Sequence, residues 1–114
     1  MKRELVTYRN PKSPVAETFR TLRTNIQFMN AKRNLKSILI TSTMPGEGKS
    51  WVSANLATTF AQAGKKVILI DADMRKGTQH KMFTVESRPG LSNYLLDVSE
   101  TETVDILQYV KRTG

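Results

Sequence analysis

Apolar positions along the chain keep two different periods. Val15, Phe19, Leu22, Ile26 and Met29 recur at four-three-four-three spacing, which makes one stripe of a helix. Ser13 and Pro14 open that stretch, the serine placed as N-cap and the proline at the first helical position. The pattern predicts a helix running to about Asn30, then a basic turn from Ala31 to Asn34. Ahead of it Asn10-Pro11 breaks any helix, so residues 1–12 read as an extended or loosely docked arm. Two short apolar runs, Ile38-Leu39-Ile40 and Val67-Ile68-Leu69-Ile70, predict buried parallel strands at Ser37–Thr41 and Lys66–Asp71. Between them Val52, Leu56, Phe60 and Ala63 follow a helical period over residues 49–63, with Gly64 as the stop. Strand, helix and strand make one right-handed crossover unit, hence an α/β fold with a parallel sheet flanked by helices. Beyond Gly77 the pattern predicts short helices at Thr78–Phe83, after the Pro89-Gly90 turn (Leu91, Tyr94, Leu95, Leu96), and over Thr103–Lys111.

With 114 residues, 39% of them apolar, the chain is at most one domain. It has no cysteine, which excludes a disulfide, a thiol nucleophile and a zinc–thiolate site and fits a reducing compartment. Met1-Lys2-Arg3 is followed by no apolar core of a signal peptide, and no apolar run approaches the length of a membrane span. The formal charge is +8, and much of the excess lies before residue 37. There Lys2, Arg3, Arg9, Lys12, Arg20, Arg23, Lys32, Arg33 and Lys36 face only Glu4 and Glu17. Such a segment suits an anionic membrane face or nucleic acid, or is simply a solvated basic face. Its aromatics, Tyr8, Phe19 and Phe28, are few and Phe19 belongs to the apolar stripe, so nucleic acid is not the expected partner.

The first strand leads into Thr43-Met44-Pro45-Gly46-Glu47-Gly48-Lys49-Ser50, and the helix follows at once. Strand, glycine loop and helix in this order are the setting of a phosphate-binding P-loop. Gly46 and Gly48 let the main chain curl so that successive N–H groups face one anion, and the helix adds its positive end. In that setting Lys49 serves the β/γ-phosphates and Ser50 offers a hydroxyl to Mg²⁺. Thr43 stands where the usual pattern has its first glycine. The second strand ends in Asp71-Ala72-Asp73, whose carboxylates share one side of an extended segment. Placed where α/β sheets hold ligands, they read as metal ligands or a proton acceptor. The alternative is an acid that caps the next turn. On the first helix Glu17, Arg20 and Arg23 form an E-x-x-R-x-x-R pattern. It is either an intrahelical pair worth about 0.2–0.5 kcal/mol or a fork offered to a neighbouring subunit. His80 has no companion that would make it a ligand.

Thr41–Ser50 together with Val67–Arg75 resembles the Walker A and A′ motifs of the bacterial tyrosine kinases of capsule and exopolysaccharide synthesis. The pattern at Glu17, Arg20 and Arg23 is similar to that family's oligomerisation motif. The resemblance runs from about residue 13 to residue 75. It implies an ATP- and Mg²⁺-dependent protein-tyrosine autokinase on a P-loop fold, with residues 13–114 as the N-terminal portion of its domain. On that basis Pro45, Gly46, Glu47, Gly48, Lys49, Ser50 and Trp51 bind the nucleotide. Lys49, Asp71 and Asp73 are catalytic, and Ser50, Asp71 and Asp73 surround the metal. The family further implies a homo-oligomeric ring that phosphorylates tyrosines of neighbouring subunits, tyrosine-bearing protein substrates, and a membrane adaptor whose cytoplasmic tail activates the enzyme. A cytoplasmic location against the inner face of the membrane follows from the adaptor.

This sequence departs from the family in several places. No apolar strand ending in a Walker B aspartate is found between Gly77 and Gly114, and Tyr8, Tyr94 and Tyr109 are scattered, so none is nominated as a phosphosite. Trp51 replaces a second hydroxyl residue, and Gly77 stands where the family often has proline. The expectation is therefore a portion of a larger kinase domain, folding poorly and inactive by itself. A related alternative is a partition or septum-positioning ATPase that switches on nucleotide. Met44 and Pro45 depart from the lysine and glycine of its loop. A third reading is a regulatory nucleotide-binding module acting through Glu17, Arg20 and Arg23.

Overall fold

A computed structural model of the chain describes residues 5–31, 33–34, 36–41, 48–74, 77–101 and 103–113. The chain divides into two compact units, Met1–Leu69 and Ile70–Gly114.

The first unit is built on three helices: α1 (Val6–Arg9), α2 (Pro14–Asn30) and α3 (Lys49–Gln62). Helix α2 begins as its sequence dictates. Pro14 takes the first position, and the Ser13 hydroxyl accepts the Ala16 N–H at 3.1 Å. Helix α3 ends in a Schellman motif, with Lys65 N–H donating to the Phe60 carbonyl and Gly64 N–H to that of Ala61. Gly64 there has φ +85°, a left-handed conformation natural to glycine.

The packing face of α2 is rotated from the predicted stripe. Ala16 and Phe19 are buried, and Arg23 and Ile26 are half-buried. Val15, Leu22 and Met29 are exposed. Ala16 has no side chain beyond Cβ, so the helices approach closely on its side, and that choice of face cannot be read from hydrophobicity alone. Opposite it α3 buries Ala54, Asn55, Leu56 and Thr59. The Phe19 and Trp51 rings meet edge to face, centroids 5.3 Å apart.

Residues 6–9 are a helical turn rather than an extended arm, and Thr7 anchors it. Thr7 N–H donates to Asn55 Oδ1 at 3.1 Å and the Thr7 hydroxyl donates to the same oxygen at 2.9 Å. The Thr7 carbonyl accepts Gln62 Nε2–H at 3.0 Å. Thr7 and Asn55 are both fully buried. Asn55→Ala strips two buried donors of their acceptor and is expected to destabilise the full-length protein by about 1–3 kcal/mol. Chemical unfolding measures this, and an unchanged midpoint would contradict the role given to the cluster.

Neither predicted strand is seen. Among the described residues no strand forms, and residues 36–41 and 65–70 carry no regular structure. Leu39 is 89% exposed and Ile68 71%, so the apolar runs are not buried as a sheet would bury them. A strand persists only where neighbours accept its backbone hydrogen bonds, and the described residues pair none of these groups in a ladder.

In the second unit α4 (Gln79–Met82) and α5 (Leu91–Glu100) replace the predicted short helices with similar bounds. Asn93 Oδ1 accepts the Gly90 N–H at 2.8 Å at the start of α5. The predicted helix over Thr103–Lys111 is only a 3-10 turn at Ile106–Tyr109, with Asp105 accepting the Leu107 N–H at 3.0 Å. The Tyr109 phenol donates to Asp97, and its ring lies edge-on to Tyr94 with centroids 5.4 Å apart.

Candidate active site

Glycine decides where α3 starts. Gly48 precedes the helix with φ +79°, the left-handed conformation expected of a residue that turns a loop sharply into a helix. The first ladder bond runs from Val52 N–H to the Gly48 carbonyl at 2.9 Å, so the positive end of the helix dipole begins at Lys49. Lys49 is exposed there and Ser50 half-buried. Trp51, expected among the nucleotide-binding residues, turns its ring onto Phe19. Its side chain thus serves the packing of α2 on α3. Pro45, Gly46 and Glu47 lie outside the described residues.

The two acids belong to the second unit and differ sharply. The half-buried Asp71 takes the capping alternative. Its Oδ2 accepts the N–H of Thr78 at 3.0 Å and of Gln79 at 3.2 Å, and its Oδ1 accepts that of Asp73 at 3.1 Å. Asp71 therefore fixes both ends of its own loop. Asp73 is exposed. Gly77 is a residue the pattern did not single out for this purpose. A Cβ on it would lie 2.9 Å from Asp71 Oδ2 and 3.0 Å from the Asp73 carbonyl oxygen, so the loop closes over Asp71 only because nothing projects from position 77.

Glu17 and Arg20 pair on the surface of α2. Arg20 Nε and Nη2 both donate to Glu17 Oε2, at 3.0 and 2.6 Å, and Nη1 donates to the Pro11 carbonyl. Arg23 does something else. It is half-buried, and Nη1 donates to the Thr59 carbonyl at 2.8 Å, a cation set against the negative end of α3. A polar line at Asn55, Thr59 and Gln62, spaced as one helix face, was the available signal that α3 receives polar partners. Arg23 and Thr7 are those partners.

Magnesium prefers hard oxygen donors, keeps several waters, and takes few protein ligands beside phosphates. The Ser50 hydroxyl and the Asp73 carboxylate are of that chemistry. No group of three or more acid, histidine or cysteine side chains fit to hold a metal by themselves occurs among the described residues. Among the described residues no helix is long and apolar enough to cross a membrane.

Residues 38–110 match the CobQ/CobB/MinD/ParA nucleotide binding domain. The chain is similar to the tyrosine-protein kinase YwqD of Bacillus subtilis, at 52% identity over 102 residues, which cover 90% of this chain and 43% of that protein. It thus spans less than half the length of that relative. Its structure resembles the kinase domain of the Escherichia coli tyrosine kinase ETK with a TM-score of 0.85 and 32% identity, covering all of this chain and 44% of that one. It also resembles the chimerical protein CapA2B2, with a TM-score of 0.75 and 48% identity over 82% of this chain and 41% of that chain. The chain belongs to the CobQ/CobB/MinD/ParA family of nucleotide-binding domains.

Proposed function

We propose that this chain carries the phosphate-binding half of an ATP- and Mg²⁺-dependent protein-tyrosine autokinase that regulates capsular or exopolysaccharide synthesis. The observation that carries the reading is the left-handed Gly48 followed by Lys49 and Ser50 at the head of α3, in a chain half identical to a named tyrosine-protein kinase. The partition-type ATPase is not favoured, because the relatives are named as kinases. In this reading the apolar runs at 38–40 and 67–70 are strands of a parallel sheet completed by further chain. The loop from Pro45 to Trp51 cradles the phosphates through the backbone N–H groups that follow the proline, and Lys49 holds the β/γ pair. Ser50 and Asp73 would serve as oxygen ligands of the metal, which would supply charge neutralisation on those phosphates. Asp71 orients the loop that presents Asp73, and the two share the acceptance of the tyrosine proton. Incubation of the full-length protein with ATP and Mg²⁺ should yield phosphotyrosine, and nucleotide hydrolysis without any phosphotyrosine would refute the kinase.

Glu17, Arg20 and Arg23 belong, in the same reading, to a contact between copies in a ring. The Glu17–Arg20 pair is worth only about 0.2–0.5 kcal/mol within its helix, so exchanging partners with a second copy costs little. Other partners are tyrosine-bearing proteins and a membrane adaptor, which places the enzyme at the inner face of the membrane. Likeness to a chimeric CapA2B2 protein is compatible with such an adaptor. Charge reversal by Arg20→Glu should abolish assembly in light scattering and leave nucleotide binding and stability within about 0.5 kcal/mol. Normal assembly of that variant would remove Arg20 from the interface.

A further inference from the structure

The chain has three tyrosines, and the structure treats them unequally. Tyr94 and Tyr109 are half-buried and packed on each other. The Tyr109 hydroxyl is committed to Asp97, and that hydrogen bond, followed by burial, raises its pKa above the ordinary phenol value. With its hydroxyl engaged by Asp97 and its ring packed on Tyr94, Tyr109 is not presented to another active site. Tyr8 is the opposite case, with 69% of its surface exposed.

Its exposure is built rather than incidental. Tyr8 lies on the turn α1, where Tyr8 and Arg9 N–H both bond the Leu5 carbonyl and Asn10 N–H bonds that of Val6. The adjacent Thr7 is fully buried and fastened through its N–H, hydroxyl and carbonyl to Asn55 and Gln62 of α3. Neighbouring residues of one helical turn point about 100° apart, so a buried Thr7 directs Tyr8 away from the core. The exposed Arg9 follows, in a segment with a strong basic excess, and this would offset the two negative charges of a phosphotyrosine.

We propose that Tyr8 is a phosphoacceptor of this kinase, modified by a second copy of the chain; this rests on the kinase reading above. The second copy is required by reach. At 1.5 Å per residue, Asn55 and Gln62 lie about 9 and about 20 Å along α3 from Lys49, and the γ-phosphate lies beyond that end. While Thr7 stays fastened, Tyr8 is held on the flank of α3 at the level of those two residues and not at its Lys49 end. In the transfer the Tyr8 phenolic oxygen bonds to the γ-phosphorus of the other copy's ATP. The bond to the β-phosphate oxygen breaks, ADP leaves with its electron pair, and the phenolic proton passes to a carboxylate of the donor copy.

The test mixes an active full-length donor with a size-tagged full-length acceptor carrying Lys49→Met, adds ATP and Mg²⁺, and maps phosphopeptides on each copy by mass spectrometry. Phosphate on Tyr8 of the inactive copy is the expected result. It should disappear when the acceptor also carries Tyr8→Phe, while the donor's activity on an added tyrosine polymer stays the same. Phosphotyrosine elsewhere on the acceptor but never on Tyr8 overturns the assignment and leaves the kinase reading intact. Phosphate on Tyr8 of the active copy alone overturns transfer between copies, and with it the proposal. Absence of phosphotyrosine from every protein in the mixture overturns the kinase reading itself.

Discussion

Lys49→Met in the full-length protein is expected to lower phosphotyrosine formation by at least about 100-fold, a loss typical of one preorganised charged donor removed from a developing anion. Methionine keeps much of the side chain's length and a good helix propensity, so the change isolates the charge. Lys49 is exposed and opens α3 directly after the left-handed Gly48. An anion at this point meets the helix dipole and the ammonium together. The dipole remains in the variant, so nucleotide affinity should weaken without vanishing. Losing a charge-assisted hydrogen bond costs about 1.5–3 kcal/mol, which calorimetry reads as a rise in Kd of tenfold or more. Thermal stability should be unchanged, since no buried contact is lost. Phosphotyrosine persisting in this variant would reject the P-loop assignment. Weakened binding together with a collapsed thermal transition would mean that Lys49 is structural.

Local chemistry was legible in the sequence wherever its partner lay within a turn. Ser13-Pro14 fixed the start of α2 and Gly64 the end of α3, because each acts on backbone groups three or four residues away. Lys49 and Ser50 were legible for a similar reason, as a loop and a helix start carry their own signature. What was not legible depended on distant partners. The turn α1 exists because Thr7 finds Asn55 and Gln62, 48 and 55 residues along the chain, and nothing near Thr7 announces this. Arg23 looked like a member of a surface motif, yet its position one turn beyond Phe19 carries it onto the packing face and to Thr59. The strand runs are a different case. Ile38–Ile40 and Val67–Ile70 have strand composition, but composition cannot supply the neighbour whose backbone completes a ladder. In the candidate site Asp71 and Asp73 read alike, as two acids two residues apart. The fold separates them by burial, with Asp71 half-buried and accepting three N–H groups and Asp73 exposed.

That separation predicts opposite signatures for the two acids. Asp73→Asn should lower the rate of tyrosine phosphorylation by about 100-fold or more, the usual contribution of a positioned proton acceptor or charge, and leave stability within about 0.5 kcal/mol. Asp71→Ala should lower both. It leaves the N–H groups of Asp73, Thr78 and Gln79 without their carboxylate acceptor, at a cost of about 0.5–2 kcal/mol by analogy with a lost helix cap. The loop that presents Asp73 loosens with it, and a misplacement of about 1 Å is enough to cost about 100-fold in rate. Asp71→Asn keeps an amide oxygen able to accept from Thr78 and Gln79, so it should recover most of the stability. Gly77→Ala tests the same loop from the other side, since its Cβ would press on Asp71 Oδ2 from 2.9 Å. It should reproduce the Asp71→Ala signature with both carboxylates intact. Paired measurements of thermal unfolding and initial phosphorylation rate on the full-length protein distinguish these outcomes. A stable, inactive Asp71→Ala beside an unstable Asp73→Asn would reverse the roles assigned here.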